Sequence, residues 1–504
     1  MSILDTIGSK FPGVEGPKGH LSFKARLKWT GLILLIFLLL GQITVFGISQ
    51  VSLQQFQFLE IVLGSSIGSL MTLGIGPIVT ASIILQLLVG SKLLPWDIRS
   101  EEGKRKFQSM QKLLTIFFCF FESFAYVAFG AIRPSDPSFM SFIIVQLTIG
   151  GILVLFMDEV ISKWGIGSGV SLFIAAGVTK TIFVRAFNPL TAAGSNIPAG
   201  LVPQFITFIS IGDLFQAFVA LVPIISTIVV FLIVVYAQSL KVEIPIAFGS
   251  IRGFARRWPL NLIYTSNIPV ILIAALLANL QLMGSMVAKT VEEGTRCGFL
   301  GCFNSQGSPI SGLVLFFNVS SSLSVQVFFL TILVVIFAAA FAAFYFKFKE
   351  SFKIVVFAGI ISIILAFLLA SSTTGLPTGE EFLRSIVYLL ILVGGSVVFS
   401  IFWVTTSGMD ARSVAEQIEG MGMQIPGFRR DPRIIEQVLE RYIPTLTIIS
   451  GFFIGLLAAI ADFTGALGTG TGILLTVMII YQLYESIATR YVEDMHPAVR
   501  KFFE

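Results

Sequence analysis

Long runs of apolar residues, separated by short polar segments, recur along the whole chain of 504 residues. The hydrocarbon core of a bilayer is about 30 Å thick, so a helix that crosses it needs about 20 apolar residues. Several runs, including 218–235 and 325–346, satisfy that requirement. The pattern therefore predicts an all-α, polytopic membrane protein with about twelve membrane spans. We place the spans at residues 29–49, 58–90 (interrupted), 112–132, 140–157, 167–187, 216–238, 260–282, 325–346, 354–371, 383–407, 443–462 and 470–488.

The basic residues fall mostly on alternate connecting segments, and this asymmetry indicates the orientation of the chain. Cytoplasmic segments of membrane proteins carry an excess of lysine and arginine. With a cytoplasmic N-terminus, only six of the 33 lysines and arginines lie outside the cytoplasmic segments: Arg133, Lys180, Arg185, Lys289, Arg296 and Arg384. We therefore expect both termini in the cytoplasm, with residues 1–28 as a cytoplasmic or interfacial segment and 490–504 as a cytoplasmic tail. The first apolar run begins near Trp29, so we expect no cleavable signal sequence.

The chain offers few residues for catalysis or metal binding. Of its residues, 55% are hydrophobic and 12% are charged, and it has only two histidines and three cysteines. No GxxxxGK[ST] phosphate loop occurs in the sequence. We therefore predict no catalytic residues, no metal site, no cofactor and no enzymatic activity. Cys297 and Cys302, in the segment CGFLGC of a predicted external loop, either form a disulfide or stay as two free thiols.

The second predicted span is interrupted by the sequence GIGP at residues 74–77. The helix that could follow has only about 14 residues, or about 21 Å, which is too short to cross the core. An interrupted span is tolerated only where it is buried in protein or faces a water-filled cavity. The half-helix before it is therefore a candidate stopper that turns on Gly74 and Gly76, and Ile75 and Val79 would face the same lumen. The alternative is a re-entrant loop that serves packing alone.

The most distinctive blocks of sequence are, in chain order, GIGPIVTASIILQLLVGSK, DEVISKWGIGSGVSLFIAAGV, VYAQSLKVEIPIAFG, YTSNIPVILIAALLANLQ, IFWVTTSGMD, GFRRDP and GTGTGILLTV. Together they resemble the SecY family, the channel subunit of the Sec protein-translocation complex, in its archaeal and eukaryotic branch. The resemblance implies a channel of two inverted halves of five spans each, at 29–190 and 216–489, joined by an external loop at 191–215. Such a channel would move secretory polypeptides across the cell membrane and release membrane segments sideways into lipid.

The resemblance also assigns residues to a pore. A ring of apolar residues would close the pore at Ile75, Val79, Val170, Ile174, Ile271 and Leu475, with Ile268 as an additional candidate. A plug at about 56–70 and its hinge would comprise Leu59, Ile61, Val62, Leu63, Ser65, Ile67, Gly74 and Gly76. A polar cluster of Thr80, Glu122 and Asn279 would form the lateral gate, held shut by hydrogen bonds worth about 1 kcal/mol each. The alternative is that the ring residues are ordinary core residues and that Glu122 is satisfied inside the bundle without gating.

Two cytoplasmic loops, 239–259 and 408–442, contain clusters of arginine. The clusters include Arg252, Arg256 and Arg257 in the first loop, and Arg429 and Arg430 in the second. Because clustered arginine attracts phosphates, these loops are candidate docking sites for the RNA of a ribosome that carries a nascent chain. The alternative is that the charges only fix the topology. The resemblance further implies SecE-type and small beta-type partner subunits, and contact with signal sequences and membrane lipids.

Residues 290–380 depart from the family pattern. We expect an external loop with the two cysteines, then two extra spans joined by the basic turn KFKESFK and packed outside the ten-helix core. The second of these spans, at about 355–370, would be only about 24 Å long, so it is marginal. A secondary transporter with inverted repeats is the rival function, and it would need polar ligands near the midplane in place of an apolar ring.

Overall fold

The computed structural model describes residues 13–19, 21–48, 68–90, 93–94, 96, 100–128, 132, 134–191, 197–248, 255–265, 268–292, 295–304, 309–319, 322–345, 351–373, 375–420, 423–424, 432–467 and 470–494. Most of these residues form helices, and short strands form a three-stranded and a four-stranded sheet. The helices are α1 Phe23–Leu40, α2 Gly76–Gly90, α3 Glu101–Ala128, α4 Met140–Trp164, α5 Gly169–Phe187, α6 Leu201–Ile211, α7 Leu214–Ser239, α8 Ile268–Val287, α9 Leu323–Tyr345, α10 Ser351–Thr373, α11 Gly379–Thr406, α12 Ala411–Gly420, α13 Pro432–Phe463 and α14 Gly470–Asp494. The prediction of an all-α fold is confirmed.

Eight helices among the described residues are long and apolar enough to cross a membrane. Their apolar stretches lie in Glu102–Ala128, Pro137–Trp164, Gly169–Phe187, Leu214–Ser239, Ile268–Ser285, Leu323–Ala340, Gly379–Glu419 and Arg433–Phe463. Shorter apolar helical stretches are Gly76–Val89, Leu201–Ile211, Phe357–Ser371 and Thr471–Ile487. The chain is thus a multi-pass membrane protein, as predicted, while the total of about twelve spans stays a prediction.

The helices form two bundles that share one apolar core. In the first half α4 contacts α1, α3 and α5, and in the second half α13 contacts α7, α8, α11 and α14. α2 joins the halves because it contacts α3 on one side and α8 and α11 on the other, and α14 also contacts α5. Gly455 lets α13 approach α11 closely, since a Cβ there would lie 2.9 Å from the Cα of Val393. Buried apolar side chains of both halves therefore belong to a single cluster.

The start of α11 is fixed by a capping box and by an arginine. The Thr378 hydroxyl accepts from the Glu381 N–H at 3.3 Å, and the Glu381 carboxylate accepts from the Thr378 N–H at 2.9 Å. One turn further on, the Arg384 guanidinium donates to the carbonyl oxygens of Asn318 at 2.7 Å and Val319 at 3.1 Å. These bonds tie the first turns of α11 to the segment that precedes α9.

α9 and α10 form a helical hairpin at the edge of the molecule. α10 packs along α9, and α9 contacts α7 and α13. The Phe329 ring of α9 stacks on Phe463 of α13, with ring centroids 4.6 Å apart. On α10 the small residues Ser362, Ala366 and Ala370 are fully buried, whereas the larger apolar residues around them are exposed. The 23 residues of α10 correspond to about 34 Å of helix, longer than the predicted segment.

One sheet joins the two arginine-rich loops 239–259 and 408–442. β1 (Lys241–Phe248) pairs antiparallel with β2 (Ala255–Asn261) and, at its other edge, with β7 (Met423–Gln424). Just after β2, the Tyr264 hydroxyl donates to the Met409 carbonyl at 2.6 Å. Burial, with a smaller effect from the nearby Asp410 carboxylate, raises the pKa of Tyr264 to about 12, so this donor stays protonated at physiological pH. The loops 239–259 and 408–442 are therefore one structural unit.

The second sheet follows α8. Its strands, in spatial order, are β3 Lys289–Glu292, β4 Thr295–Gly298, β5 Gly301–Asn304 and β6 Pro309–Gly312. Cys297 and Cys302 face each other on β4 and β5 and form a disulfide, with the two sulfur atoms 2.03 Å apart. Phe303 is fully buried and packs against α8, where a Cβ on Gly284 would lie 3.3 Å from its ring. The sheet thereby covers the end of α8.

The described part of the N-terminal segment crosses the ends of α3 and α4. The Val14 N–H donates to the Glu159 carboxylate at 2.9 Å, and the Trp164 indole donates to the Glu15 carbonyl at 2.8 Å. Lys112 of α3 forms an ion pair with Glu159 of α4 at 2.8 Å. Residues 1–12, the first part of the predicted cytoplasmic or interfacial segment, lie outside the described residues.

Several helices differ in extent from the predicted spans. α3 begins at Glu101 and α13 at Pro432, each about three turns before the apolar run, because amphipathic sequence continues the helix beyond it. α4 continues to Trp164, seven residues past its predicted end.

Two predicted spans are shortened. α1 ends at Leu40, where Gly41 caps it, so residues 41–48 of the predicted span 29–49 are not helical. α8 begins at Ile268, because β2 occupies the chain to Asn261, so the start of the predicted span 260–282 is not helical. The connection at 191–215 is not a simple loop, since it contains α6.

Candidate pore and lateral gate

The turn that interrupts the second span is buried and held in place. The Leu70 N–H donates to the Ile43 carbonyl at 2.9 Å, and Gly150 of α4 leaves room for the Leu70 carbonyl, with which a Cβ would collide. Gly74 has a φ of +52°, a left-handed conformation that glycine adopts without the strain a Cβ would cause. The turn therefore ends in a fixed position, with Ile75 at the entrance to α2.

The seven predicted ring residues lie in one apolar cluster. They are Ile75 and Val79 at the start of α2, Val170 and Ile174 on α5, Ile268 and Ile271 on α8, and Leu475 on α14. Val170 and Ile268 are partly buried, and the others are buried. These residues come from four helices of both halves, and the core they belong to contains many other apolar residues, so their assignment to a ring stays a prediction. A constriction built from such side chains would close by excluding water, because they offer no hydrogen bonds.

The three predicted gate residues form a chain of hydrogen bonds. The Thr80 hydroxyl of α2 donates to the Glu122 carboxylate of α3 at 3.0 Å, and the Asn279 amide of α8 donates to the Thr80 oxygen at 3.3 Å. Glu122 is 9% exposed, and its second carboxylate oxygen has no hydrogen-bond partner among the described residues. Gln111 of α3 adds a bond to Ser82 of α2 at 2.6 Å. The chain crosses the seam between α2 and α3 of the first half and α8 of the second.

A second polar cluster fixes the start of α14, the helix that carries Leu475. The Tyr388 hydroxyl of α11 donates to one oxygen of Asp462 at 2.8 Å, and the Thr471 N–H donates to the other at 3.0 Å. Asp462 thereby joins the end of α13 to α11 and to the first turn of α14. Sequence reasoning missed this cluster because Tyr388 and Asp462 are 74 positions apart.

Several predicted site residues lie outside the described residues. They are Leu59, Ile61, Val62, Leu63, Ser65 and Ile67 of the plug, and Arg252, Arg429 and Arg430 of the docking loops. Arg256 and Arg257 are described at the level of the backbone. They lie on β2, opposite Ile246 and Pro245 of β1.

Two family models match the chain. A model described as SecY matches residues 69–354 and 351–484, and a model described as the plug domain of Sec61p matches residues 35–68. The first model covers well over half of the chain. The second covers the predicted plug as far as the turn before α2.

Individual relatives and solved structures are similar along nearly the whole length. The protein translocase subunit SecY of Methanothermobacter thermautotrophicus is 43% identical over 506 aligned residues, which cover 99% of this chain and 98% of the relative. A structure described as a protein-conducting channel has a TM-score of 0.77 and 37% identity, and covers 98% of each chain. Sec61 in a canine ribosome–channel complex from the endoplasmic reticulum has a TM-score of 0.73 and 37% identity, again over 98% of each chain. This chain is therefore a member of the SecY family.

Proposed function

We propose that this protein is a protein-conducting channel that passes secretory polypeptides across the cell membrane and releases membrane segments laterally into lipid. The observation that carries the proposal is that seven aliphatic residues, from four helices of both halves, belong to the apolar core that the two halves share next to a buried glycine turn. A secondary transporter would need polar or charged ligands at such a place, and all seven residues are aliphatic.

The apolar cluster would seal the resting channel. Aliphatic side chains offer neither charge nor hydrogen bonds, so they exclude ions and water, yet they can move apart around a polypeptide of any sequence. The plug before Gly74 would close the same passage from one side, and the match of residues 35–68 to the plug domain of Sec61p supports that assignment. Opening the channel for a polypeptide therefore requires the plug to move on the glycine turn.

The Thr80–Glu122–Asn279 chain would act as the lateral gate. One of its hydrogen bonds, from Asn279 of α8 to Thr80 of α2, crosses the seam, and the bond from Thr80 to Glu122 of α3 holds Thr80 in place within the first half. Each bond is worth about 1 kcal/mol inside a membrane. A seam of that strength holds the halves together at rest and yields to an apolar signal sequence that packs between them. Glu122 does not act as a catalyst in this proposal, and the protein needs no cofactor.

The cytoplasmic sheet would dock the ribosome. β1, β2 and β7 unite the two arginine-rich loops, and Arg256 and Arg257 lie on β2 itself. Backbone phosphates of ribosomal RNA are the ligands that clustered arginine attracts. Relatedness to Sec61 in a ribosome–channel complex supports this role. SecE-type and small beta-type partner subunits and cytoplasmic termini are further parts of the proposal.

Site-specific crosslinking to a translocating polypeptide tests the proposal. A photoreactive residue is placed at Ile75 or Leu475, and a secretory chain stalled on its ribosome is added to membranes that contain the protein. We expect a crosslink from both positions, because a chain in transit must pass the apolar cluster. A matched probe at Phe367, which is 54% exposed on α10 at the edge of the molecule, serves as the control and should stay unlinked. Labelling at Phe367 but not at the two cluster positions would overturn the assignment.

A further inference from the structure

A short helix, α6 (Leu201–Ile211), lies in the segment that connects the two halves of the chain. Its start is tied to the end of α5, because the Gly200 N–H donates to the Asn188 carbonyl at 2.8 Å. Its end leads directly into α7 through a tight turn, in which Gly212 has a φ of +86° and Asp213 caps α7. α6 also contacts both α5 and α7 along its length. It is therefore held in place against the ends of two membrane helices.

The protein leaves much of α6 uncovered, although the helix is apolar. Ile206 is 62% exposed and Ile211 is 67% exposed, and the adjoining Leu214 of α7 is 74% exposed. No residue of α6 is buried. An apolar surface of this kind on a connecting segment marks contact with another apolar phase.

The sequence of α6 has the composition of a helix at a membrane surface. Its polar residues recur at a spacing of three and so lie on one side: Gln204, Thr207 and Ser210. The opposite side is formed by aliphatic and aromatic residues. No charged residue occurs between Arg185 and Asp213, so nothing in this segment opposes contact with lipid.

The position of α6 along the membrane normal follows from α7. The 26 residues of α7 form about 39 Å of helix, which exceeds the hydrocarbon core of about 30 Å. α7 is therefore long enough to cross the core, and α6 is attached at its start, next to the predicted membrane boundary at 216. Exposed apolar side chains continue from α6 onto both neighbours, at Phe187 of α5 and Phe218 of α7. The uncovered face of α6 is thus continuous with the lipid-facing surface of the spanning helices.

We propose that α6 is an interfacial helix that binds the lipid of the external leaflet, with Ile206 and Ile209 in contact with acyl chains. The connection between the two halves is then anchored in the membrane. This inference depends on the multi-pass architecture and on α6 itself, and not on the nature of the transported substrate.

Spin-label accessibility in lipid vesicles tests the proposal on the full-length protein. Cys119→Ala removes the one free thiol among the described residues, and single cysteines at Ile206, Ile209 or Thr207 then carry a nitroxide. Phe218→Cys on α7 provides the lipid-facing reference, and Glu380→Cys at the exposed start of α11 provides the aqueous reference. Collisions with molecular oxygen, which dissolves in lipid, are compared with collisions with a water-soluble nickel chelate.

We expect collisions with oxygen to exceed collisions with the nickel chelate at 206 and 209, as at 218, with a shift toward the chelate at 207 on the polar face. A preference for the chelate at 206 and 209, equal to that at 380, would place α6 in water and overturn the proposal. Low accessibility to both reagents would show that a protein surface or a second copy covers the helix, which also overturns it. Ile206→Asp gives an independent check, because it should raise chelate accessibility at 209 if lipid holds the helix.

Discussion

Removing the Thr80 hydroxyl should make the channel open more easily. Thr80→Val keeps the shape of the side chain but deletes the bond to Glu122 at 3.0 Å and the bond from Asn279 at 3.3 Å. Each bond is worth about 0.6–1 kcal/mol in a membrane. Only the bond from Asn279 crosses the seam, so the closed seam loses about 0.6–1 kcal/mol, and the closed-to-open ratio falls by about 3- to 5-fold. The buried Glu122 oxygen that accepted from Thr80 is also left without this donor, which further destabilises the closed state.

The measurement is the export of a reporter protein with signal sequences of decreasing hydrophobicity. We expect Thr80→Val to export reporters whose signals are too weak for the unmodified channel, and Asn279→Ala to show a similar effect because it removes the same bond across the seam. Thr181→Val is the matched control, since the Thr181 hydroxyl bonds only to the carbonyl of Gly177 in its own helix. An unchanged threshold in Thr80→Val, or an equal change in Thr181→Val, would refute the gate assignment.

Four further changes test other parts of the channel. Leu475→Asn should raise ion leak through vesicles that contain the protein, because a polar side chain lets water enter an apolar constriction. Deletion of residues 58–66 should leave a folded protein with a leakier resting state, measured by the same conductance assay. Reversal of Arg429 and Arg430 to glutamate should weaken ribosome binding and flatten its dependence on salt, since fewer counterions are released. Asp462→Asn should lower the free energy of unfolding by about 1–3 kcal/mol, measured by denaturation in detergent, because a charged acceptor of buried bonds is lost.

Each of these expectations has a contradicting result. Unchanged conductance in Leu475→Asn would make that residue part of the ordinary core, and loss of folding on deleting 58–66 would make that segment packing. An unaltered salt slope after the double arginine reversal would leave those charges with a topological role alone. Wild-type stability in Asp462→Asn would mean that the bonds from Tyr388 and Thr471 are replaced by water.

The apolar runs of this chain are sufficient to predict the helices, because a segment that crosses lipid must be both long and apolar. The glycine turn could also be found, since Gly74 and Gly76 interrupt an otherwise continuous run. The sequence analysis did not predict the three-stranded sheet of β1, β2 and β7, although KVEIPI alternates polar and apolar residues along β1 as a strand would. Helix α6 likewise carried a usable signal in the spacing of its polar residues.

Hydrogen-bond partners on different helices of the bundle could not be derived from local sequence patterns. Nothing near Asp462 in the sequence indicates Tyr388 as its partner, because their contact depends on how α11 packs against α13. The bond between Thr80 and Asn279 spans 199 positions, and sequence resemblance alone suggested it. Local patterns determine which segments are helices, whereas the neighbours of each polar side chain follow from the tertiary packing.

The hydrogen bonds of Arg384 at the start of α11 allow the α9–α10 hairpin to be removed from the chain as one unit. Arg384 holds the carbonyls of Asn318 and Val319, so the chain leaves for the hairpin and returns from it at nearly the same place. A shortened chain could be rejoined there by a linker of a few residues, whose closure costs little entropy. α10 packs mainly on α9, and α9 contacts α7 and α13, so removal of the hairpin would expose the residues of those two helices that face α9, Phe463 among them. Gain or loss of this hairpin is therefore a change in length that evolution or an engineer can make while α8 and α11 keep their places.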